Sequence, residues 1–425
     1  MLAEALLTKA RRAGATPAQM QILDARFAAA KVAADIGLAH EWEWLSEPRF
    51  TFVDLFAGIG GMRLAAESEG GRCVGSIEID KKCIETYRRN FGDDPTGDIT
   101  AIDPRSVNDH NLLLAGFPCQ AFSIAGLKGG FEDTRGTLFR NVAEIISKKK
   151  PDAFILENVK GLVSHDKRKT LAVILNTLMG DPVGYHLVQP SGHSKLKGYG
   201  WSVLNALDFG VPQNRERIFI VGFKDPMAAD RFRFPGPITP AGVGISLQEV
   251  LEDGPKWKAP VHARHFISEK YLQGLKRHRN HHESIGQGFG FEVRDHHGYA
   301  NALVGGGMGR ERNLIKAQMA PQNGTLDGLR SPRNGESLRR MTPREWARLQ
   351  GFPEWYEPHH AETHAYKQFG NSVAVPNVAA VVSAVMTAIE GIDLPENEPS
   401  ELPRQTRITW SRPESKPIDG SQTSS

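Results

Sequence analysis

Residues 52–65, FVDLFAGIGGMRLA, decide the fold. An apolar run reads as a strand, Gly58, Gly60 and Gly61 as the turn that ends it, and the residues beyond as a helix. Glycine at a strand-to-helix turn lets a ligand approach the backbone closely and delivers it to a helix N-terminus. The same turn also serves plain helix–strand packing. About 20 residues later VGSIEID closes a second strand on Glu78, the position from which an acid hydrogen-bonds ribose hydroxyls. Together these features point to an adenosine-containing cofactor. The glycines do not spell GxGxxG, and Asp54 inside the strand is a poor neighbour for a pyrophosphate. A cofactor without phosphates fits better, and S-adenosylmethionine, with its cationic sulfonium and amino group, tolerates nearby acids. Phe56 and Ile59 are candidate apolar walls for its adenine, and Asp98 in TGDIT a candidate acceptor for the adenine amino group.

Outward from this turn the pattern repeats. FTFVDLFAG, RCVGSIEI, NLLLAGFP, DAFILEN and RIFIVGF are short apolar runs separated by helix-length segments. This predicts an α/β fold with a mostly parallel sheet covered on both faces. The chain divides into a helical N-terminal extension (1–50), a catalytic and cofactor-binding domain (51–225), a smaller loop-rich domain (226–335), a return to the first domain (336–392) and a polar, Pro/Ser-rich tail (393–425) expected to be disordered. Within the return, Thr342-Pro343 with Glu345 reads as a capped helix start and VPNVAAVVSAVMTAIEGI as a strongly apolar helix.

A net charge of +3 over 425 residues says little about partners. Local charge says more, because HARHF, LKRHRNHHE and MGRERN concentrate cations between 261 and 312, where phosphate contacts are expected. Cysteines at 73, 83 and 119 form no CxxC pair, which argues against a disulfide framework or a structural zinc and for a reducing compartment. No run approaches the roughly 20 apolar residues of a membrane span, and the N-terminus lacks the centre of a signal peptide. A cytoplasmic protein is expected, with no metal and no membrane.

Three positions carry candidate chemistry. Cys119 follows a rigid proline at the carboxyl end of the strand NLLLAGFP, where ligands bind in open α/β sheets, although free cysteine is more often merely buried. Glu157 ends the strand DAFILEN, and burial there would raise its pKa until it holds a proton near neutrality; alternatively it caps the next turn. Arg215 and Arg217 precede the fifth strand, and two arginines two apart point the same way from an extended segment. They offer forked donors to a carboxylate, a carbonyl or a phosphate.

These residues resemble a family, the bacterial DNA (cytosine-5) methyltransferases. The motifs are DLFAGIGG, GFPCQAFSIAG, GFEDTRGTLF, ENVKGL, QNRERIFIVGF, RMTPREWARLQGF and YKQFGNSVAVP, in the family's order. The resemblance implies a Rossmann-like S-adenosylmethionine-dependent methyltransferase sheet, a target-recognition domain inserted before the last motifs, and a final helix that returns to the large domain. It implies that Cys119 adds to C6 of a cytosine flipped out of double-stranded DNA, that Glu157 contacts N3 and the exocyclic amine, and that Arg217 binds O2 with Arg215 assisting. On the cofactor side it implies Phe56, Gly58, Ile59, Glu78, Asp98, Leu138 and Asn371. Gln120 and Ser123 would sit on a loop closing over the DNA. GQGFGF and GGGMGRERN are the expected base-reading loops, with Gln287, Arg310 and Arg312 as readers. A monomer acting at the nucleoid is expected, within or derived from a restriction-modification system, with a cognate restriction endonuclease a possible partner. Two other readings keep the fold but change the function: a regulatory binding protein without chemistry, and an enzyme acting on tRNA.

Overall fold

The computed structural model describes residues 48–118, 138–238, 245–287, 290–306, 309–321 and 334–391. The expected N-terminal helices, Cys119, Gln120, Ser123 and the C-terminal tail lie outside the described residues.

Strand β1 (Phe50–Leu55) leads through the glycine turn into helix α1 (Gly61–Ser68), and β2 (Gly71–Ile77) into α2 (Lys81–Phe91). Then come β3 (Leu112–Gly116), α3 (Leu138–Lys149), β4 (Ala153–Val159) and α4 (Lys169–Met179). Short strands β5 (His186–Leu187) and β6 (Lys197–Gly198) precede β7 (Trp201–Asn205), β8 (Gln213–Asn214) and β9 (Glu216–Phe223). The main sheet runs β2-β1-β3-β4-β9-β7-β6, with β5 also on β9. Its first four strands are parallel, while β9 and β7 are antiparallel to their neighbours. The predicted sheet is therefore parallel in one half only, and β7 is a strand that the sequence pattern did not single out. Its core-facing residues are too few to stand out from the surrounding glycines and lysines.

Alternation along the central strands feeds two cores. Phe50, Phe52, Leu112, Leu114 and Ile155 face α1 and the last helix, α9 below, whereas Val53, Leu55, Leu113, Ala115 and Leu156 face α3 and α4.

Beyond a one-and-a-half-turn helix α5 (Pro226–Arg231), the inserted segment holds α6 (Glu269–Ser284) and strands β10 (Val293–Arg294), β11 (Ala300–Asn301), β12 (Leu314–Lys316) and β13 (Leu338–Arg339). Helix α6 is the longest regular element of a segment that reads as loop-rich in the sequence. Ser268 caps it by accepting from Tyr271 N, but only Leu272 and Leu275 of its 16 residues are buried, so no apolar stripe announces it. The return comprises α7 (Pro343–Leu349), α8 (Glu362–Asn371) and α9 (Val375–Ile389). Residues Glu362–Ile389 together match a membrane span in length and apolarity, yet 78% of the apolar window is buried inside the protein. They form the centre of the fold.

The predicted cap on α7 is present in full. Thr342 Oγ1 accepts from Glu345 N at 3.1 Å, and Glu345 Oε2 accepts from Thr342 N at 2.7 Å. The same Glu345 binds the fully buried Arg339, which also holds Asp253 of the inserted segment (Nε–Oδ2 3.2 Å). One guanidinium thus joins the two domains. Truncation would leave two carboxylates buried without a counter-charge, so Arg339→Met is expected to lower stability by about 3–5 kcal/mol, against at most about 1 kcal/mol for Lys276→Ala in the exposed pair with Glu336. Urea unfolding of the two variants measures the difference.

Candidate functional site

Four parallel strands end on one edge of the sheet. Leu55 pairs with Ile77 on one side and Ala115 on the other, and Gly116 pairs with Glu157. Because β9 is antiparallel, it begins at this edge, with Arg217 opposite Val159. Phe56, Glu78, Pro118, Glu157 and Arg217 are therefore gathered from separate parts of the chain at the carboxyl ends of the strands, where open α/β sheets bind ligands.

Glu157 is 8% exposed, and its Oε1 lies 3.1 Å from Arg217 Nε. Burial pushes its pKa up, and the pull of Arg217, then Arg215, only partly offsets this. The carboxyl thus holds its proton at higher pH than an ordinary glutamate. Beside it, the Asn158 amide donates to the Phe117 carbonyl at 2.9 Å, in a buried bond that anchors the chain two residues before Cys119. Sequence reasoning passed over Asn158; its position directly after a strand-ending acid was the available signal.

The two arginines divide. Arg215 lies between β8 and β9, 2% exposed, and its guanidinium donates to the carbonyls of Leu303 (2.9 Å), Gly370 (3.1 Å) and Ser372. The extended-strand rule that would align it with Arg217 fails because residue 215 belongs to neither strand. Its donors connect the inserted segment to the return, and only its Nε is left without an acceptor.

At the cofactor edge, Glu78 Oε2 accepts from Gly58 N at 2.8 Å, while Oε1 accepts from the backbone N–H groups of Ile79 and Asp80. Phe56 and Gly58 both sit at positive φ, 59° and 55°. Gly60 and Gly61 serve packing: an added methyl would fall 2.2 Å from the Phe91 ring and 2.7 Å from Ser372 Oγ respectively. At Gly58 the nearest atom would be the Phe56 carbonyl oxygen at 3.9 Å, an ordinary contact, so it is the positive φ and not lack of room that favours glycine there. Ile59 is 2% exposed, its side chain belongs to the core and its carbonyl accepts from the Tyr356 hydroxyl at 2.7 Å, so it is not the exposed apolar wall that the sequence suggested. Ile79 stands 65% exposed beside Glu78. It is an apolar surface that sequence reasoning missed, because an isoleucine after a strand reads as core. Asp98 accepts from the Thr100 N–H and hydroxyl, which hold it below the usual carboxylate range. Leu138 opens α3, and Asn371 is exposed at the end of α8.

Asp54 tests the fit of a cationic ligand. It is 1% exposed, and burial raises its pKa to about 8, with Arg63 opposing the shift through its charge and its backbone N–H and Glu78 reinforcing it. A buried acid with a raised pKa near the end of β1 suits a ligand that brings positive charge or donors, as S-adenosylmethionine does.

In the inserted segment, a cleft of about 350 Å³ is lined by His278 and His282 of α6, by Val304, Gly306 and Gly309, and by Arg312. Gln287 Oε1 lies 3.1 Å from His282 Nδ1. Arg310 stacks over Tyr366 of α8, 5.3 Å from the ring centre. Elsewhere Glu85, His359 and His360 offer three clustered metal-ligand atoms. His359 Nδ1, however, accepts from Ala361 N, which puts the ring proton on Nε2, the atom facing Glu85. That nitrogen has no lone pair left for a metal.

The architecture defines the class first. The chain is similar in fold to the crystal structure of the S. pombe Dnmt2 methyltransferase (TM-score 0.55, 19% identity, 80% of this chain and 99% of that one) and to Entamoeba histolytica EhMeth (TM-score 0.55, 16% identity, 80% and 98%). The family model for C-5 cytosine-specific DNA methylase matches residues 50–387, so the chain belongs to that family and is a DNA cytosine-5 methyltransferase. Among its relatives, Type II methyltransferase M.HpaII of Haemophilus parainfluenzae is 47% identical over 340 residues, 80% of this chain and 89% of the relative. Type II methyltransferase M.HhaI of Haemophilus parahaemolyticus is 39% identical over 329 residues, 76% and 90%.

Asp54 yields a pH test. Its folded pKa lies above its unfolded value of about 4, so the native state alone holds the proton between about pH 4 and about pH 8, and the associated stability is lost as pH rises through that window. Relative to wild type, the unfolding midpoint of Asp54→Asn in the absence of cofactor is expected to climb across the same window. Parallel curves for the two proteins would refute the assignment.

Proposed function

We propose that this enzyme methylates C5 of a cytosine flipped out of a specific duplex DNA sequence, through a transient bond between Cys119 and C6. The observation that carries the reading is the buried Glu157–Arg217 pair, next in register to the strand that leads into Cys119. C5 of cytosine is a poor nucleophile until addition at C6 gives it enamine character. The Cys119 thiolate makes that bond. The proton held on Glu157 goes to N3 or is shared with it as negative charge develops there, and Arg217 donates to O2. Glu157, once deprotonated, remains beside Arg217, which stabilises the carboxylate. C5, now nucleophilic, bonds the methyl carbon; its proton is then lost to a base as the C6–S bond breaks and Cys119 leaves as thiolate, and the N3 proton returns to Glu157, which restores the aromatic ring. The target atom is inaccessible within a base stack, which supports extrusion of the base.

The methyl donor is S-adenosyl-L-methionine, which supplies an electrophilic methyl group on its sulfonium. Asp54 and the backbone at Gly58 suit its cationic end, Glu78 and Asp98 its ribose and adenine edges, and Ile79 and Phe56 its apolar face. Leu138 and Asn371 complete the edge. Cys119, Gln120 and Ser123 enter by sequence correspondence. Arg215 positions the return and the inserted segment and touches no reacting atom.

Cationic α6, Gln287, Arg310 and Arg312 supply the DNA-facing surface. The enzyme acts as a monomer on cytoplasmic, nucleoid DNA, without a metal. Its Type II relatives support a place in a restriction-modification system, with a cognate endonuclease cutting the same site.

The test is methyl transfer from labelled cofactor to duplex DNA, with tRNA as the competing substrate. Wild type labels DNA and Cys119→Ala labels neither; label on tRNA alone, or none on any DNA, contradicts the reading. Glu157→Gln keeps the shape and a donor but cannot deliver a proton, so kcat is expected to fall by about 10²–10⁴-fold. Single-turnover methylation measures it.

A further inference from the structure

The inserted segment and the return meet backbone to backbone at two glycines. A methyl group built on Gly370 would fall 2.3 Å from the Gly305 nitrogen and 2.6 Å from its Cα; one built on Gly305 would fall 2.7 Å from Asn371 Oδ1 and 2.9 Å from the Lys367 carbonyl oxygen. Neither glycine is at positive φ, so the requirement is for space and not for conformation. Both sides of the contact are held by the same buried groups. Arg215 donates to Leu303 and to Gly370, and Gln213 accepts from Leu303 N (3.0 Å) while donating to the Leu349 carbonyl (2.7 Å).

Helix α8, which ends in this contact, is fixed at its other side to the cofactor edge. Lys367 Nζ lies 3.1 Å from Asp80 Oδ2, Gln368 Nε2 donates to the Lys82 carbonyl at 2.8 Å, and Gln368 Oε1 accepts from Thr86. Asp80 in turn donates its N–H to Glu78. Only ten residues long, the helix spans from the acid turn to the loop that opens onto the His278–Arg312 cleft. A loop displaced at Gly305 must move Asn371 or the whole helix, because no side chain lies between the two backbones to absorb the shift.

We infer that Gly305 and Gly370 are positioning residues that couple occupancy of the recognition cleft by DNA to affinity for the cofactor, with α8 as the rigid link. The inference rests on the cofactor and DNA assignments above. Coupling of this kind is reciprocal, and a factor of about 5 or more in affinity is the usual size for linked sites.

The experiment measures the dissociation constant of S-adenosylhomocysteine with and without a duplex that the wild-type enzyme methylates, and takes the ratio. For wild type the ratio is expected to differ from one by about fivefold or more. Gly305→Ala brings it towards one, a loss of coupling that general destabilisation would not produce. Gly335→Ala, whose methyl would meet nothing within 4 Å and which lines neither site, keeps the wild-type ratio. Lys367→Ala, cut from the exposed side of α8, lowers the ratio from the other end and covers the case in which the glycine variant does not fold. A wild-type ratio of one, or a ratio unchanged in both Gly305→Ala and Lys367→Ala, overturns the inference. Absence of methyl transfer by wild type would overturn the functional reading itself, so the two failures are separable.

Discussion

A carboxyl group shut away from water at the end of a central strand is costly without a partner, and Glu157 has Arg217 beside it while burial still raises its pKa. That constraint organises the catalytic edge. The parallel strands deliver the acid, and reversal of β9 puts Arg217 opposite the residue two beyond it. The Asn158 amide then ties the neighbouring strand exit to the same place. A fully parallel sheet would send the start of β9 to the opposite edge and leave the acid without its guanidinium. The departure from a uniform parallel sheet is therefore what completes the site.

A second constraint is that the chain leaves the large domain and comes back. The return is held by buried side chains whose partners are almost all main-chain carbonyls or carboxylates from distant segments: Arg215 and Gln213 with Leu303, Gln350 with Phe369, and Arg339 with Asp253 and Glu345. Such groups are costly when unpaired and satisfied in only one arrangement. They fix the relative placement of inserted segment and return more sharply than apolar contact would. The same buried groups fix the end of α8 that meets the inserted segment.

Much of this was legible in the sequence because it is local. The strand–glycine–helix turn at 52–65, the Thr342–Glu345 cap and the apolar helix at 375–389 are each written in a few adjacent residues. What was not legible depends on partners far along the chain. Arg215 and Arg217 look alike at a spacing of two, but a break between short strands turns the first towards Leu303 and Gly370. Gly60 and Gly61 resemble Gly58, yet Phe91 and Ser372 decide that they are packing residues. Helix α6 buries two side chains in four turns and so leaves no period to read.

The central claim is that this fold holds an acid and a guanidinium for a base that Cys119 attacks. Incubation with S-adenosylmethionine and a substrate duplex carrying 5-fluorocytosine at the target tests it most directly, since fluorine at C5 cannot leave as a proton and the adduct persists. The account predicts a stable protein–DNA complex whose mass maps to Cys119, lost in Cys119→Ala and retained when Cys73 and Cys83 are replaced. A methylating enzyme that gives no adduct, or an adduct at another residue, would contradict it.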